Sequence, residues 1–423
     1  MDGARLKRAC ALVAALGCLL AALDVRAEPT PLSQTEVIAR ARRDNLELLA
    51  AKHRLTQAEA DVAAAAVWSN PVVHASGLTA THGAITGGRN ELVVALDQAI
   101  PISGYLGLRR DAARGQLTAE ERAFAAQAWT LVSDAKIAYL ALQQAQARAK
   151  IIRAGLSDLA RVEAIVGERA AAGASAPYDK LRVSAERGKI EAHVARADVD
   201  VIAARAALAR AVGPSIDAAT VTAEESFADP DDAPRDLDAL VRRALSSRPD
   251  VASARARADA GDLRVAFLRR SYYPTPAVSV GYARYFDVVD AGGTSGGALI
   301  LGLSLPLPIL DRGQGVIDRG LAEAAETRAL RDQAELVVRR EVTQAVAELA
   351  VRAAAWRRFR DVTRPDLQRL RTTAELAYRE AHSSILELLD AYATYVDAEE
   401  RALDLRAAAA RAALDVERAI GPQ

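Results

Sequence analysis

From about residue 34 to 69, apolar positions recur every three or four residues, the spacing that gives an α-helix one apolar stripe. The stretch stops at Asn70-Pro71, where the ring of a proline pushes the preceding residue out of the α region. The period then changes to two. Val72 to Ala80 and, after a turn from Gly83 to Asn90, Leu92, Val94 and Leu96 alternating with Val93, Ala95 and Asp97 predict a β-hairpin with one apolar side. Ile100-Pro101 ends it, and a long helical stretch runs from about 105 to 172. At 1.5 Å per residue such a helix reaches roughly 100 Å if unbroken. The run Ala172-Gly173-Ala174-Ser175-Ala176-Pro177 then predicts a tight break, with Pro177 in the first turn of a return helix that ends at Gly213.

The whole order is then written a second time. Ile38 falls on Val241 and Pro71 on Pro274 without a gap, Pro101 falls on Pro308, and Val212-Gly213-Pro214 falls on Ile420-Gly421-Pro422. A repeat this long is not that of a short-unit solenoid, and it predicts two similar halves. The second copy has a helical stretch from about 236 to 272 and a stop at Tyr273-Pro274. Val278, Val280 and Tyr282 then alternate with Ser279, Gly281 and Ala283. After a Gly-rich loop from Asp290 to Gly297, Leu299, Leu301, Leu303 and Leu305 alternate with Ile300, Gly302 and Ser304. The element Leu305-Pro306-Leu307-Pro308 ends this hairpin, a helix follows from about 312 to 380, and Ala381-His382-Ser383-Ser384 breaks it. Ser175 and Ser384 are the candidate caps of the two return helices. The organisation predicted is 1–27 leader, 28–213 first repeat, 214–235 acidic and proline-containing connector, and 236–423 second repeat.

The leader follows from Arg5, Lys7 and Arg8 before an apolar run from Ala9 to Leu23 and small residues around Ala27, the order of a secretory signal peptide. The run is shorter than the roughly 20 residues of a spanning helix. Cys18 offers a second reading, cleavage before a lipidated cysteine, which Ala15-Leu16-Gly17 fits poorly. With Cys10 and Cys18 both in the leader, no disulfide or thiol chemistry is expected of the rest. Charge is balanced, 55 basic against 55 acidic residues, so no global field points to nucleic acid. The abundance of alanine favours long helices packed closely side by side.

Two hairpins supply four strands, and an outer membrane barrel needs about eight or more. In lipid an open sheet edge leaves backbone groups unpaired, so closure requires more than one chain. Three chains give twelve strands and two give eight; the residues leave the number open. The alternating order of helix, proline stop, hairpin, proline element, very long helix, break and return helix, all duplicated, resembles the TolC-like outer membrane efflux protein family. Leu303-Ser304-Leu305-Pro306-Leu307-Pro308-Ile309-Leu310-Asp311-Arg312-Gly313-Gln314-Gly315 and Trp68-Ser69-Asn70-Pro71 are similar in particular to the branch serving heavy-metal exporters of the cobalt, zinc and cadmium type.

The resemblance implies a mainly α fold with a small β part: a long α-helical barrel plus a transmembrane β-barrel, four strands per chain and twelve in a homotrimer. It implies an outer membrane location with the helices in the periplasm, and partners in a periplasmic adaptor, an inner-membrane resistance-nodulation-division pump and outer membrane lipid. Transport through it is then passive, of heavy-metal cations. Glu387 and Asp390 match family carboxylates lining a narrow entrance, Asp179 matches an acidic position after the first tip, and Tyr378 matches an aromatic position near the gate. In a trimer each carboxylate becomes a ring that attracts cations. A gate-locking arginine of the family is replaced by Ser383, with Arg379 and Glu380 as candidate substitutes.

Other classes have little to stand on. His53, His74, His82, His193 and His382 lie on different elements without metal-site spacing, so no metal site or cofactor is expected. No nucleophile constellation, P-loop or dinucleotide fingerprint is present, so an enzyme is not expected. A periplasmic coiled-coil scaffold or adaptor is the alternative, as is a channel for organic drugs. The leucine face of residues 299 to 305 separates a scaffold from a duct, because in water it is an aggregation hazard. Tyr272, Tyr273, Tyr282 and Tyr285 flank or sit in the second hairpin, at positions suited to a membrane interface.

Overall fold

A computed structural model describes residues 31–79, 89–171, 177–225, 229, 233–234, 236–287, 296–380 and 382–422. The leader, Ser175, His82 and most of both hairpin turns lie outside these residues. The chain is mainly helical with one small sheet. Its elements in order are α1 (Gln34–Asp44), α2 (Leu46–Ala65), β1 (Val72–Leu78), β2 (Arg89–Ala99), α3 (Tyr105–Ala171), α4 (Pro177–Val212), α5 (Leu237–Ser247), α6 (Pro249–Ser271), β3 (Ala277–Asp287), β4 (Gly296–Ser304), α7 (Gln314–Arg358), a π turn (Phe359–Thr363), α8 (Arg364–Arg379) and α9 (Ile385–Ile420).

Three breaks differ from the sequence reading. The helix expected over residues 34 to 69 is two helices meeting at Asn45, and that over 236 to 272 is two meeting at Arg248. Both junction residues take extended backbone, φ −71° and −69°, and both are buried. They occupy equivalent places in the two repeats and carry out one task with different side chains. Asn45 Nδ2 donates to the carbonyl of Ala211 at 3.0 Å, while Arg248 donates to the carbonyl of Ala419 at 3.1 Å. Pro249 sits in the first turn of α6, where its missing N–H costs nothing. The third break is the π turn, which interrupts the helix expected over 312 to 380; Arg364 N–H reaches back five residues to Phe359 O, and Pro365 opens α8. The helix of the first repeat runs without such a break through all 67 residues of α3.

Gly213 and Gly421, which close α4 and α9, have φ of 110° and 94°, values that L side chains rarely adopt. A Cβ on Gly213 would stand 2.9 Å from Asp44 O, so the same glycine also lets α1 approach.

Two compact units divide the chain, and each draws on both repeats. One comprises residues up to Asn45, Leu131–Ala233 and Val346–Val416. Its core packs Val37 and Ala41 of α1 against Leu131, Ala135 and Leu142 of α3 and Leu208 and Val212 of α4. The start of the connector belongs to this core: Ile216, Val221 and Ala223 are buried, Leu32 bridges Ala223 in parallel, and Tyr139 donates its hydroxyl to Leu32 O at 2.8 Å.

The other unit comprises Leu46–Thr130, Pro234–Ala345 and the last residues from Glu417. It holds the sheet, an antiparallel meander in the order β1-β2-β3-β4, so the two hairpins are joined through β2 and β3. Register puts Val280 opposite both Leu96 and Leu301, and Tyr282 opposite both Val94 and Leu299. One face is therefore continuous Val, Leu and Tyr, with Leu299, Leu301 and Leu303 70 to 75% exposed. The other face is mostly small or polar, with Ser279, Gly281 and Gly302 and a contact of His74 Nε2 with an Asp97 carboxylate oxygen at 2.8 Å. An apolar face this open needs lipid or protein against it.

Candidate functional site

The residues singled out in the sequence gather where α3 ends, α4 begins, α8 ends and α9 begins. Pro177 stands at the first position of α4, and Asp179 lies in that helix's first turn, half-buried. The start of α9 is a reciprocal cap. Ser384 Oγ accepts the Glu387 N–H at 3.3 Å, and a Glu387 carboxylate oxygen accepts the Ser384 N–H at 3.1 Å. Ser384 is thus the cap expected, while Glu387 holds its own helix start as well as pointing charge outward. Asp390, one turn on, is exposed and makes no ion pair or hydrogen bond among the described residues.

Tyr378 is the buried anchor. It is 2% exposed and packs with Val162 and Val166 of α3, Val183 of α4 and Leu388 of α9. Arg169, in the last turn of α3, donates to the Tyr378 carbonyl at 2.7 Å and lays its guanidinium 4.5 Å from the ring centroid. That arginine ties the helix of the first tip to the helix of the second. Its role was invisible in the sequence, because the two residues stand 209 positions apart. The substitutes considered for the missing arginine do less: Arg379 pairs with Glu375 one turn back on its own helix at 2.9 Å, and Glu380 ends α8, its N–H reaching Leu376 O. Ser383 is half-buried in the turn, and the His382 N–H closes α8 on Ala377 O at 2.8 Å.

A second tier lies behind this one. Asp158 of α3, nearly buried, takes Arg161 from its own helix and Arg371 of α8 at 2.9 Å. Arg371 stacks on Tyr395 at 4.2 Å, and Tyr392 donates its hydroxyl to Glu375 at 3.0 Å. Higher on the same helices Arg364 grips Glu399 with two hydrogen bonds of 3.0 and 2.7 Å.

Burial, seconded by the Glu375 carboxylate, pushes the Tyr392 hydroxyl up to about 12. A group whose pKa rises on folding stabilises the fold below its unfolded value, near 10, and loses that contribution as pH climbs through the folded value. Alkaline titration followed by tyrosinate absorbance is therefore expected to show a late-ionising class that shrinks in Tyr392→Phe. Unfolding between pH 10 and 12 is expected to become less steep in the same variant. An unchanged late class would place the ionisation elsewhere.

Among the described residues, no group of three or more His, Cys, Asp or Glu side chains is arranged to hold a metal ion. His53, His193 and His382 lie on separate elements, and His74 is paired with Asp97. No helix among them is long and apolar enough to cross a membrane. The site thus sets Asp179, Glu387 and Asp390 near two helix starts, beside an aromatic and arginine tie between α3 and α8.

The model of a family described as "Outer membrane efflux protein" matches residues 37–214 and 240–422. The cobalt-zinc-cadmium resistance protein CzcC of Cupriavidus metallidurans is 26% identical over 287 residues, covering 66% of this chain and 64% of that protein. The crystal structure of CusC superposes with a TM-score of 0.75 at 18% identity, covering 94% of both chains. The CmeC outer membrane channel of Campylobacter jejuni gives 0.74 at 16% identity, covering 92% of this chain and 85% of that one.

Proposed function

Because the chain belongs to the outer membrane efflux protein family, we propose that it forms, as a homotrimer, the outer membrane duct of a tripartite exporter, passively conducting heavy-metal cations from an inner-membrane resistance-nodulation-division pump and a periplasmic adaptor to the exterior. The observation that carries the duct is the sheet. Four strands with open edges at β1 and β4 and a face of exposed leucines are incomplete alone. Three copies close them into a twelve-stranded barrel, within the range of known outer membrane barrels. The proteins are not enzymes, and work is supplied by the pump. Likeness to CzcC, a cobalt-zinc-cadmium resistance protein, supports metal as cargo.

Deleting the gene and measuring tolerance to zinc, cobalt, cadmium, copper and a drug panel tests the cargo. Loss of metal tolerance is expected; lost drug tolerance with unchanged metal tolerance overturns the metal reading. Recovery of the protein as a soluble periplasmic monomer would overturn the duct itself.

At the tips, Asp179, Glu387 and Asp390 form rings of like charge around the entrance, and Tyr378 is the gate's packing anchor. Rings of carboxylates draw cations and repel anions. The double variant E387Q/D390N is therefore expected to lower cation-over-anion selectivity in planar bilayers several-fold with little change in stability. Glutamine can serve at the third position of a capping box, so the helix start survives. Selectivity equal to wild type would mean that these two carboxylates face away from the ion path.

A further inference from the structure

The strand β4 does not end its apolar exposure with its hydrogen bonding. Its last pair joins Ser304 to Ala277, and the chain goes on as Leu305-Pro306-Leu307-Pro308-Ile309-Leu310. Here Leu305 is 51% exposed, Leu307 64%, Ile309 67% and Leu310 91%. The two prolines lack the N–H that a further ladder would need, so no neighbouring strand can pair this stretch throughout. Its backbone instead folds on itself, Ile309 N–H reaching Leu307 O at 2.9 Å. The first repeat has a shorter version, Ile100-Pro101-Ile102, with the same tight turn from Ile102 N–H to Ile100 O at 2.9 Å and Ile102 71% exposed.

In an antiparallel meander the start of β1, the end of β2, the start of β3 and the end of β4 share one end. That is the end from which the helices leave. Trp68 and Tyr273, both 54% exposed, stand just before β1 and β3 at this level. Arg269, at the end of α6, and Arg312, just past Leu310, are exposed there and have no charged partner among the described residues. Arg270 beside them is held, stacked on Tyr273 at 4.5 Å and bonded to Ser103 O at 2.6 Å. Open leucines, amphipathic aromatic rings and unpaired cations at one level make up the composition of a surface that sits in the boundary between acyl chains and headgroups.

We propose that the Leu305 to Leu310 segment is an interfacial anchor seated in the periplasmic leaflet of the outer membrane, with Arg269 and Arg312 directed to phospholipid phosphates. The occupant is lipid and not a second copy of the chain, because the segment continues the leucine face of β4, whose Leu299, Leu301 and Leu303 already face outward from the sheet. The unpaired arginines give the anchor a preference for anionic headgroups. The longer element of the second repeat would reach deeper than Ile102 of the first, so lipid would grip a trimer at three alternate positions.

The test uses the full chain with Cys10 and Cys18 replaced by serine, extracted in detergent and reconstituted in phosphatidylcholine and phosphatidylglycerol vesicles. A single cysteine is placed as L310C, L301C or K180C and labelled with an environment-sensitive fluorophore. Lipids brominated high on the acyl chain are expected to halve the emission at L310C. L301C, on the leucine face, should also be quenched by bromine, while K180C, on α4, should respond only to aqueous iodide. Behaviour of L310C like that of K180C overturns the proposal by putting the segment in water. Protection of L310C from both quenchers overturns it by putting a second copy of the chain over the segment. Since Leu310 is 91% exposed, the substitution leaves the fold intact.

Discussion

Replacing Arg248 with alanine is expected to destabilise the protein by about 2–3 kcal/mol, read as a lower thermal midpoint of the detergent-extracted chain. Arg248 is 4% exposed at the bend between α5 and α6. It bonds Asp250 at 3.0 and 2.6 Å, Glu341 at 2.6 Å and the Ala419 carbonyl at 3.1 Å, and it stacks on Trp129 at 5.3 Å. Removal strands a buried carbonyl and opens a void beside an indole. The upper range for breaking a buried ion pair, about 3–5 kcal/mol, does not apply in full. The Asp250 and Glu341 side chains are 39 and 49% exposed and regain water once the arginine is gone.

The duplication provides an internal control. Asn45→Ala removes the uncharged amide's hydrogen bond to the Ala211 carbonyl at the equivalent bend and is expected to cost only about 1 kcal/mol. Arg248→Asn, which copies the first repeat's solution, should fall between the two. Equal losses for R248A and N45A would show that the charged partners of Arg248 contribute nothing.

The second large effect is expected at the Arg169–Tyr378 tie, where the proposed duct has its entrance. Arg169→Ala deletes a charge-assisted hydrogen bond and a cation–π contact, together about 2–3 kcal/mol. If the contact exists only while the entrance is closed, that loss shifts the closed-to-open balance by a factor of about 30–150. Planar-bilayer conductance should rise accordingly, and cells carrying the variant should become more sensitive to large antibiotics. Arg169→Lys keeps the charge but not the planar stacking, and should give an intermediate phenotype. Unaltered conductance in R169A, with the thermal midpoint lowered, would make the contact a structural tie that does not move.

The alternation of periods was readable because strands and helices bury their faces differently. Val278, Val280 and Tyr282 against Ser279, Gly281 and Ala283 marked a strand before any partner was known, and the prolines at 71, 274 and 308 marked the ends. The Ser384 cap was readable for the same local reason, a hydroxyl three residues before a glutamate. The breaks at Asn45 and Arg248 escaped because helical residues continue on both sides, and what holds each bend is a carbonyl some 170 residues away. Asp158 with Arg371, and Arg169 with Tyr378, escaped too. Arginine and carboxylate on an alanine-rich helix look like solvated surface until a second helix is laid against them.

The π turn has a consequence in angular terms. Each residue of an α-helix advances by about 100°, so one residue accommodated in a wider turn rotates everything beyond it by about that angle relative to an unbroken helix. The residues of α8 therefore do not continue the stripe of α7. The side chains that reach α3, Arg371 to Asp158 and Tyr378 to Val162, meet their partners in the phase that Phe359–Thr363 imposes. Removing one residue from that turn would restore a regular helix and swing Tyr378 out from under Arg169, so the phase of the second tip is set one whole helix away from it.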